Sequence, residues 1–508
     1  MRWLGLLAWG AGSGLCLAIS GEAWGWPPLA WVFAASLAAV LWRTRNAQQA
    51  FAVGLASGTA ANAFALDSIV PLLQAFGSFP LYAAVPTAAL CWVAQGIPYG
   101  LAAASARWLA GRTSSERNLW WLLPPAAVVW FSAFPMLFPW RPAVALMGYP
   151  LLVQLADVGG ASLVDWMLLQ VGAAAWACLA FPVLRRRAAM TGLAVLAASL
   201  GYGVLRMEWV REQRRAAPAV KLGAVQPNVG IYMKHDGSKF RRILKRLHRQ
   251  SLEVELAGAQ AVFWPETAYP FAFKRDRMQD RRGSISARPK ALRVPLVIGA
   301  VTHDGTGEGP RRKWNSALVL DEGGRRTGLV DKERLLYFGE RVPFWEWLPP
   351  LQERFASPGF SAGEVGVLPV AGARPGILIC YEDLFPSLAR SLVDQQADVL
   401  VNVTNNAWFG ATSTSHLHDL AARMRAVETR RDMLRVVNTG ISSFVHSTGE
   451  VELRTGSFES ASFVAEARLQ RGTTLFVALG DWWAWACALA LGAFSLWSRR
   501  RDSESRAR

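Results

Sequence analysis

The chain has 508 residues, a formal net charge of +17 and a hydrophobic fraction of 52%. That length leaves room for more than one domain, and the hydrophobic fraction is high for a soluble protein. The high hydrophobic fraction predicts a membrane protein. The positive charge is spread over many segments without a recognition motif, so we predict no nucleic-acid partner.

Long uncharged runs fill the first two hundred positions and recur near the end, each close to the ~20 residues that a helix needs to cross a bilayer. The segment that follows the third run, "IVPLLQAFGSFP", could extend that run or lie at the membrane interface. The pattern predicts a multi-pass α-helical membrane bundle of about eight spans. The candidate spans are 3–20, 27–42, 49–66, 82–106, 119–138, 161–182, 188–206 and 474–497.

Arginine clusters follow the second, fourth, sixth and eighth spans, all on one side of the predicted bundle. Positive loops mark the cytoplasmic face. We therefore expect the segment between the last two spans on the periplasmic side of a bacterial inner membrane. The first span also resembles a signal peptide with a candidate cleavage site at Gly21-Glu22-Ala23. Trp24 and Trp26 beyond that site favour a retained helix.

These spans divide the chain into four predicted parts. Residues 1–207 form a seven-span N-terminal bundle, and residues 208–473 form the periplasmic domain. Residues 474–498 form a C-terminal transmembrane helix, followed by a basic cytoplasmic tail at 499–508.

The apolar runs of the predicted periplasmic domain are shorter than those of the predicted spans. Most of them are continuous, as in strands that are covered on both faces. Helical patterns lie between them, which indicates an α/β domain with a sheet, or two packed sheets, flanked by helices. The expected strands are 220–228, 261–270, 295–303, 315–321, 376–383, 398–406 and 433–445, and the expected helices are 238–258, 384–395 and 416–432.

Cysteine usage singles out one residue of this domain. Four of the five cysteines lie inside predicted spans, whereas Cys380 ends the apolar run of "PGILICYEDLFP". The periplasm permits disulfides, yet Cys380 has no partner within its domain. A single thiol in that compartment indicates a reactive cysteine.

Two further polar residues follow apolar runs, Glu266 in "VFWPETAYP" and Lys332 in "LVDKERLLYFGERVPF". Ligand sites of α/β sheets form at the carboxyl ends of strands. A thiolate can attack a carbonyl, a carboxylate can take the thiol proton, and an ammonium can stabilise the oxyanion. Each residue alone is more typical of a solvated strand end or of core packing. Their joint occurrence favours a catalytic site.

The segments "WPETAYP", "DKERLLYFGERVPF" and "ILICYEDLFP" are similar to the three signature segments of the nitrilase superfamily. With membrane spans on both sides, and with "VQPNV" and the block 401–443, the whole chain resembles its membrane-embedded branch, the apolipoprotein N-acyltransferase family. The resemblance implies an αββα sandwich carried on the membrane bundle.

The resemblance also implies a reaction. A fatty acyl chain passes from a membrane phospholipid, with phosphatidylethanolamine the expected donor, to a cysteine thioester. It then passes to the N-terminal amine of the diacylglyceryl-cysteine of an apolipoprotein, the last step of lipoprotein maturation. A monomer is expected. The implied catalytic residues are Glu266 as base, Lys332 as oxyanion stabiliser and Cys380 as nucleophile, supported by Glu340, Tyr381 and Glu382.

One departure from the family pattern is Met233-Lys234-His235, where family members commonly read "MKW". The apolar stretch 335–355 after Lys332 is either loop packing or a lid that dips into the bilayer surface. The charged segment 271–290 is a candidate second mobile arm, or a solvated loop. The candidate substrate-binding residues are His235, Asn315, Trp345 and Trp347.

No cofactor is predicted. His416 and His418 have metal-ligand spacing, but no third ligand is evident, so no metal is predicted. Two alternative functions remain. One is a membrane-tethered amidase or nitrilase that hydrolyses small amides, for which eight spans are excessive. The other is a scaffold with an inactive domain, against which the retained triad argues.

Overall fold

The chain divides into two compact units in the computed structural model. One comprises Met1–Asp67, Leu81–Trp209 and Thr474–Arg508, and the other comprises Ser68–Pro80 and Val210–Thr473. The structure describes residues 2–21, 25–77, 79–112, 116–230, 233–234, 236–305, 312–337, 339–341, 359–410 and 412–507.

The first unit is helical. Its uncharged runs form helices because every backbone hydrogen bond can then be made within the segment, which an apolar solvent requires. The helices described in this unit are Arg2–Ser20, Leu29–Trp42, Ala47–Ala65, Leu81–Gly111, Leu119–Ala133, Ala156–Ala180, the part of Arg185–Ala216 up to Trp209, Leu475–Leu479 and Trp482–Ala507.

Four described helices are long and apolar enough to cross a membrane: Trp3–Ser20, Leu81–Gly111, Ala156–Ala180 and Arg185–Ala216. A fifth span is available if Ala47–Ala65 and the first part of the next helix, bent by 58°, count as one. The predicted membrane bundle is therefore present in outline, and the count of eight spans remains a prediction.

Small residues let helices 47–65 and 81–111 approach closely. A Cβ atom on Gly54 would lie 2.5 Å from the carbonyl oxygen of Tyr99, and one on Gly96 would lie 2.8 Å from the backbone nitrogen of Thr59. Such contacts are typical of membrane helices, where packing replaces the hydrophobic driving force.

Asp165, the clearest ionisable residue within a predicted span, is fully buried. Arg141 donates to one of its carboxylate oxygens at 2.6 Å, and the backbone N–H of Ala143 donates to the other at 2.6 Å. Asp165 therefore links its own helix, Ala156–Ala180, to the preceding segment that contains Arg141 and Ala143.

The second unit contains two mixed β-sheets. The larger has the strand order β13-β1-β2-β4-β5-β6 with β3 paired to β4, and the smaller has the order β12-β11-β10-β9-β8-β7. The strands are β1 Ala219–Gln226, β2 Ala261–Phe263, β3 Phe273–Lys274, β4 Leu296–His303, β5 Lys313–Leu320, β6 Arg326–Asp331, β7 Gly366–Val367, β8 Pro375–Ile379, β9 Val399–Thr404, β10 Met433–Val437, β11 Ser443–Val445, β12 Val451–Arg454 and β13 Ala461–Arg468.

Three apolar cores hold the second unit together. The first joins side chains of both sheets, for example Leu222 of β1 with Ile379 of β8. The second lies between the larger sheet and helix Phe240–Leu256. The third lies between the smaller sheet and helices Pro386–Asp394 and Thr414–Thr429. Both faces of each sheet are covered, which explains the continuous apolar runs of the strands.

Several predicted strands end earlier in the structure. The run 261–270 is a strand only to Phe263 and then turns, and 433–445 is two strands joined by a short connection. The runs 220–228, 376–383 and 398–406 end at Gln226, Ile379 and Thr404. The segment 271–290, predicted as a mobile arm or a solvated loop, folds around Asp280. The carboxylate of Asp280 accepts hydrogen bonds from the backbone N–H groups of Arg281, Ala287 and Arg288.

Candidate active site

Strand pairing brings Cys380 and Thr404 to one edge of the smaller sheet. β8 and β9 run parallel with Ile379 opposite Val403. Cys380 and Thr404, the next residue of each strand run, therefore lie at the same carboxyl edge. Parallel strands end together at such an edge, which is where α/β sheets form their ligand sites.

The larger sheet positions Glu266 and Lys332. The backbone N–H of Lys332 donates to the carbonyl of Asn315 on β5 at 2.8 Å, which fixes Lys332 at the end of β6. Glu266 follows β2 in a turn that crosses β4 at Gly299. A Cβ atom at position 299 would lie 2.2 Å from the carbonyl oxygen of Pro265, so the close approach of this turn requires glycine.

Lys332 bridges two carboxylates. Its Nζ lies 2.8 Å from Oε2 of Glu340 and 3.3 Å from Oε1 of Glu266, and its side chain is 1% exposed. Burial opposes the charge on Lys332, but the attraction of Cys380 and of the two carboxylates outweighs it, so the pKa of Lys332 is raised well above its ordinary value. Lys332 is therefore a permanently charged cation beside the thiol.

Asn315 fixes the spacing of the same two carboxylates. Its Nδ2 donates to Oε1 of Glu266 at 2.6 Å and to Oε1 of Glu340 at 2.9 Å. Glu340 is held further by the backbone N–H of Leu336, which donates to its Oε2 at 2.9 Å. Asn315 is a predicted substrate-binding residue, and its amide is bonded to these two side chains.

Cys380 begins a short helical turn, Cys380–Leu384, directly after β8. Its φ of 59° lies in the left-handed region, which is unfavourable for a residue with a Cβ and marks strain at the turn. Asn402 of the neighbouring strand holds the turn, because its Nδ2 donates to the carbonyl of Cys380 at 2.8 Å.

The Cys380 thiol is protonated at neutral pH. Burial raises its pKa to about 12 and the charge of Glu266 raises it too, whereas Lys332 and a hydrogen bond with Thr404 lower it. Because the thiolate is the reactive form, this cysteine needs a proton acceptor to react. Glu266 supplies a carboxylate in the same cluster.

Glu382 and Tyr381 join the Cys380 turn to the loop after Lys332. Glu382 is fully buried and accepts hydrogen bonds from the backbone N–H groups of Ile379, Glu333 and Arg334, at 2.7, 2.7 and 3.0 Å. The hydroxyl of Tyr381 donates to the carbonyl of Leu335 at 2.8 Å. Both side chains therefore hold the Cys380 turn against the loop that follows Lys332.

A buried ionic network supports the turn from behind. Asp383 lies 2.7 Å from Nε2 of His418 and 3.4 Å from Arg435, which also lies 3.1 Å from Asp419. His416 forms the His-x-His motif with His418, but its Nδ1 lies 2.9 Å from a guanidinium nitrogen of Arg454. Among the residues described, no cluster of three or more candidate metal ligands occurs.

Some predicted site residues lie outside the described residues, namely His235, Trp345 and Trp347. The lid prediction for 335–355 falls largely in the same part of the chain. Conversely, Asn402, Thr404 and Lys234 contact the site but were not predicted. The polar cluster "TNN" after the apolar run of β9 is a signal that could have indicated Thr404.

The arrangement supports nucleophilic acyl chemistry. A protonated thiol, a carboxylate and a buried ammonium share one polar cluster, and the carboxylate and ammonium are in direct contact. Proton transfer to the carboxylate would create the thiolate, and a fixed cation nearby would stabilise an oxyanion.

Comparison with known proteins relates both units to described families. Residues 221–474 match the family described as "Carbon-nitrogen hydrolase", and residues 13–174 match the family described as "Apolipoprotein N-acyltransferase N-terminal domain". The first match covers the sheets and the candidate site.

Curated relatives match along nearly the full chain. An apolipoprotein N-acyltransferase of Geobacter metallireducens is 31% identical over 97% of this chain and 95% of its own length. One of Vibrio vulnificus is 28% identical over 92% of each chain.

Among solved structures, a carbon-nitrogen hydrolase from Helicobacter pylori G27 aligns with a TM-score of 0.34 at 15% identity, over 49% of this chain and 89% of its own. The match to the Geobacter relative extends over both units, and the two family matches fall one in each. The chain belongs to the apolipoprotein N-acyltransferase family.

Proposed function

We propose that this enzyme transfers a fatty acyl chain from a membrane phospholipid to the N-terminal amine of the diacylglyceryl-cysteine of apolipoproteins. Family membership over nearly the full chain supports the activity. The observation that carries the mechanism is the contact of Lys332 with both Glu266 and Glu340, in a cluster that also holds the Cys380 thiol.

In the first half-reaction, the carboxylate of Glu266 takes the proton of the Cys380 thiol, and Sγ attacks the ester carbonyl of the phospholipid. Lys332 stabilises the oxyanion. The C–O bond then breaks, and protonated Glu266 returns its proton to the leaving alkoxide. The products are a lysophospholipid and an acyl thioester on Cys380.

In the second half-reaction, the acceptor amine attacks the thioester carbonyl and Glu266 takes a proton from the amine nitrogen. Lys332 again stabilises the oxyanion. The C–S bond breaks, and the sulfur recovers its proton from Glu266. The product is an amide, and the two substrates enter in turn, which is ping-pong behaviour.

Water competes with the acceptor amine for the thioester. The buried position of Cys380, 9% exposed, supports restricted access of water to the thiol. The aromatic residues of 335–355, including Trp345 and Trp347, are proposed to cover the thioester and to contact lipid, and His235 is proposed to contact substrate.

We further propose the membrane topology that the charged loops predict. Eight spans cross the bacterial inner membrane, with the 1–207 bundle followed by a periplasmic domain at 208–473, a transmembrane helix at 474–498 and a cytoplasmic tail at 499–508. The two sheets and their flanking helices are proposed to be the αββα sandwich of nitrilases. Phosphatidylethanolamine is the proposed donor, and the enzyme is proposed to act as a monomer.

Intact-mass measurement tests the first half-reaction. The purified enzyme, incubated with phosphatidylethanolamine and no acceptor, should gain the mass of one fatty acyl group. Cys380→Ala should gain none, and Cys178→Ala, which removes a cysteine of the membrane unit, should behave like the unaltered chain. Acylation that persists in Cys380→Ala would contradict the proposed nucleophile.

A diacylated lipopeptide tests the second half-reaction. Its addition should release the acyl group from the enzyme and increase the lipopeptide by the same mass. A membrane-tethered amidase or nitrilase is the alternative that the sequence leaves open, and the relatives that match along nearly the full chain do not favour it. Release of free fatty acid without a gain in lipopeptide mass would favour that hydrolase.

A further inference from the structure

Lys234 is a second lysine of the active site, and its amine contacts the loop that carries Glu266. Its Nζ donates to the hydroxyl of Thr267 at 2.5 Å and to the backbone carbonyl of Glu266 at 3.3 Å. A third acceptor is the amide of Asn405, 3.2 Å away in the orientation that presents its oxygen. The three N–H groups of the ammonium thus have three acceptors, which fixes the position of the charge.

These contacts join both halves of the site. Thr267 has a φ of 45°, an unfavourable left-handed conformation directly after Glu266. Asn405 directly follows Thr404, which lies beside Cys380 at the edge of the smaller sheet and lowers the pKa of its thiol. The amine of Lys234 therefore lies between the turn of the general base and the end of the strand that supports the nucleophile.

The charges of the site show what a second cation contributes. Glu266 and Glu340 carry two negative charges, and Lys332 binds both with a single positive charge. Burial is the main cause of the raised pKa of the Cys380 thiol, and the excess negative charge of Glu266 and Glu340 raises that pKa further, against Lys332. A further cation that interacts with Glu266 and Cys380 would offset this excess.

We propose that Lys234 is a positioning residue that holds the Glu266–Thr267 turn in place and supplies the positive charge that balances the site when Cys380 loses its proton. The proposal rests on the proposed function in so far as Cys380 is the nucleophile. It adds a second cation to the triad, distinct from the oxyanion stabiliser Lys332.

The charge of Lys234, and with it the support of the Cys380 thiolate, depends on pH. Burial lowers the pKa of Lys234 to about 8, although the negative charges of Glu266 and Cys380 raise it. Lys332 and Glu340 are the other charged groups of this cluster. Lys234 therefore loses its charge as the pH rises above about 8, and its support of the thiolate is lost with it.

Alkylation of Cys380 by iodoacetamide tests the proposal without any lipid substrate. The full chain in detergent is treated over a pH series, and the modified peptide is quantified by mass spectrometry, so that the other cysteines do not interfere. In Lys234→Met, alkylation of Cys380 at pH 7 should be at least about tenfold slower, since loss of a nearby opposite charge shifts a pKa by about one unit or more. Lys234→Arg should retain most of the rate.

The pH profile separates this role from a structural one. In the unaltered chain the rise in rate should become shallower above about pH 8, and in Lys234→Arg it should continue. Lys245→Met, at an exposed lysine of helix Phe240–Leu256, is the matched control and should change neither rate nor profile. An unchanged rate and profile in Lys234→Met, even with lowered thermal stability, would overturn the proposal.

If Lys234→Met does not fold, the comparison of Lys234→Arg with the unaltered chain decides, because identical profiles above pH 8 would also overturn it. Failure of acyl transfer with the expected alkylation profiles would count against the proposed function alone.

Discussion

Ile379 donates its backbone N–H to Oε2 of Glu382 at 2.7 Å, so the residue before the nucleophile is tied to the carboxylate two residues after it. The other oxygen of Glu382 accepts the backbone N–H groups of Glu333 and Arg334. One buried carboxylate thus joins the turn of Cys380 to the loop that follows Lys332.

Glu382→Gln should lower both stability and acylation. The amide keeps one oxygen but turns an NH₂ group toward backbone N–H donors, and each buried donor left without an acceptor costs about 1–3 kcal/mol. Thermal unfolding and the rate of thioester formation measure the two effects. Glu333→Gln, at a nearby side chain that is 35% exposed, is the control and should change neither.

The same residue predicts a pH dependence of stability. Burial raises the pKa of Glu382 from 4.5 to about 7, against the hydrogen bonds that it accepts. The folded chain then holds this proton more tightly than the unfolded chain, so the stability from Glu382 is greatest below pH 4.5 and falls as the pH rises to about 7. The difference in thermal midpoint between the unaltered chain and Glu382→Gln should shrink over that interval. A difference independent of pH would contradict the raised pKa.

Substitution of Asn315 should separate positioning from charge. Asn315→Ala removes the amide that bonds Glu266 and Glu340, and a displaced base should slow thioester formation about 10²-fold. Asn315→Asp should be slower still, because a third carboxylate beside two others is repelled. If both variants form thioester normally but bind lipid weakly, Asn315 is the substrate-binding residue that the sequence analysis suggested.

The sequence indicates the three proposed triad residues because each follows an apolar run, and a strand that ends in a polar cluster is visible without coordinates. It does not indicate where the strand that begins at residue 261 ends. Residues 261–270 read as one strand, but the chain turns after Phe263. That turn depends on the space left by Gly299 on a neighbouring strand, which is a long-range contact.

The sequence pattern fails to indicate the residues that support the site for a related reason. Asn402 and Thr404 lie on β9 and reach Cys380 only through the parallel pairing of β8 with β9. Lys234 precedes Glu266 by a helix and a strand, and only the fold brings its amine to the Glu266 turn. Residue type and local pattern predict the reacting groups, whereas strand register determines the groups that position them.

Thr404 provides a test of thiol activation. Thr404→Val removes, at nearly constant shape, a buried hydroxyl that lowers the pKa of the Cys380 thiol. If this hydroxyl donates to the thiolate, the loss of that hydrogen bond, about 0.5–1.5 kcal/mol, should slow alkylation of Cys380 at neutral pH by about 2–10-fold. Thr404→Ser keeps the hydroxyl and should retain the rate. Equal rates in the two variants would mean that the hydroxyl does not act on the thiol.

Arg435 should be the most sensitive residue of the network behind the nucleophile. It is fully buried and pairs with Asp383 and Asp419, and Arg423 also binds Asp419. Burial raises the pKa of Asp419, but Arg423 and Arg435 outweigh it and hold that pKa well below its ordinary value. Asp419 therefore remains charged at neutral pH and needs its cations.

Arg435→Met should cost about 3–5 kcal/mol, because it removes the buried cation that two buried carboxylates, Asp383 and Asp419, share. Thermal unfolding in detergent measures the loss. Arg454→Gln is the control, since Arg454 also faces Asp419 at 3.5 Å but is 37% exposed, and a pair at the surface contributes about 0–1 kcal/mol. If Arg435→Met instead unfolds at the same temperature as Arg454→Gln, the network does not hold the Cys380 turn.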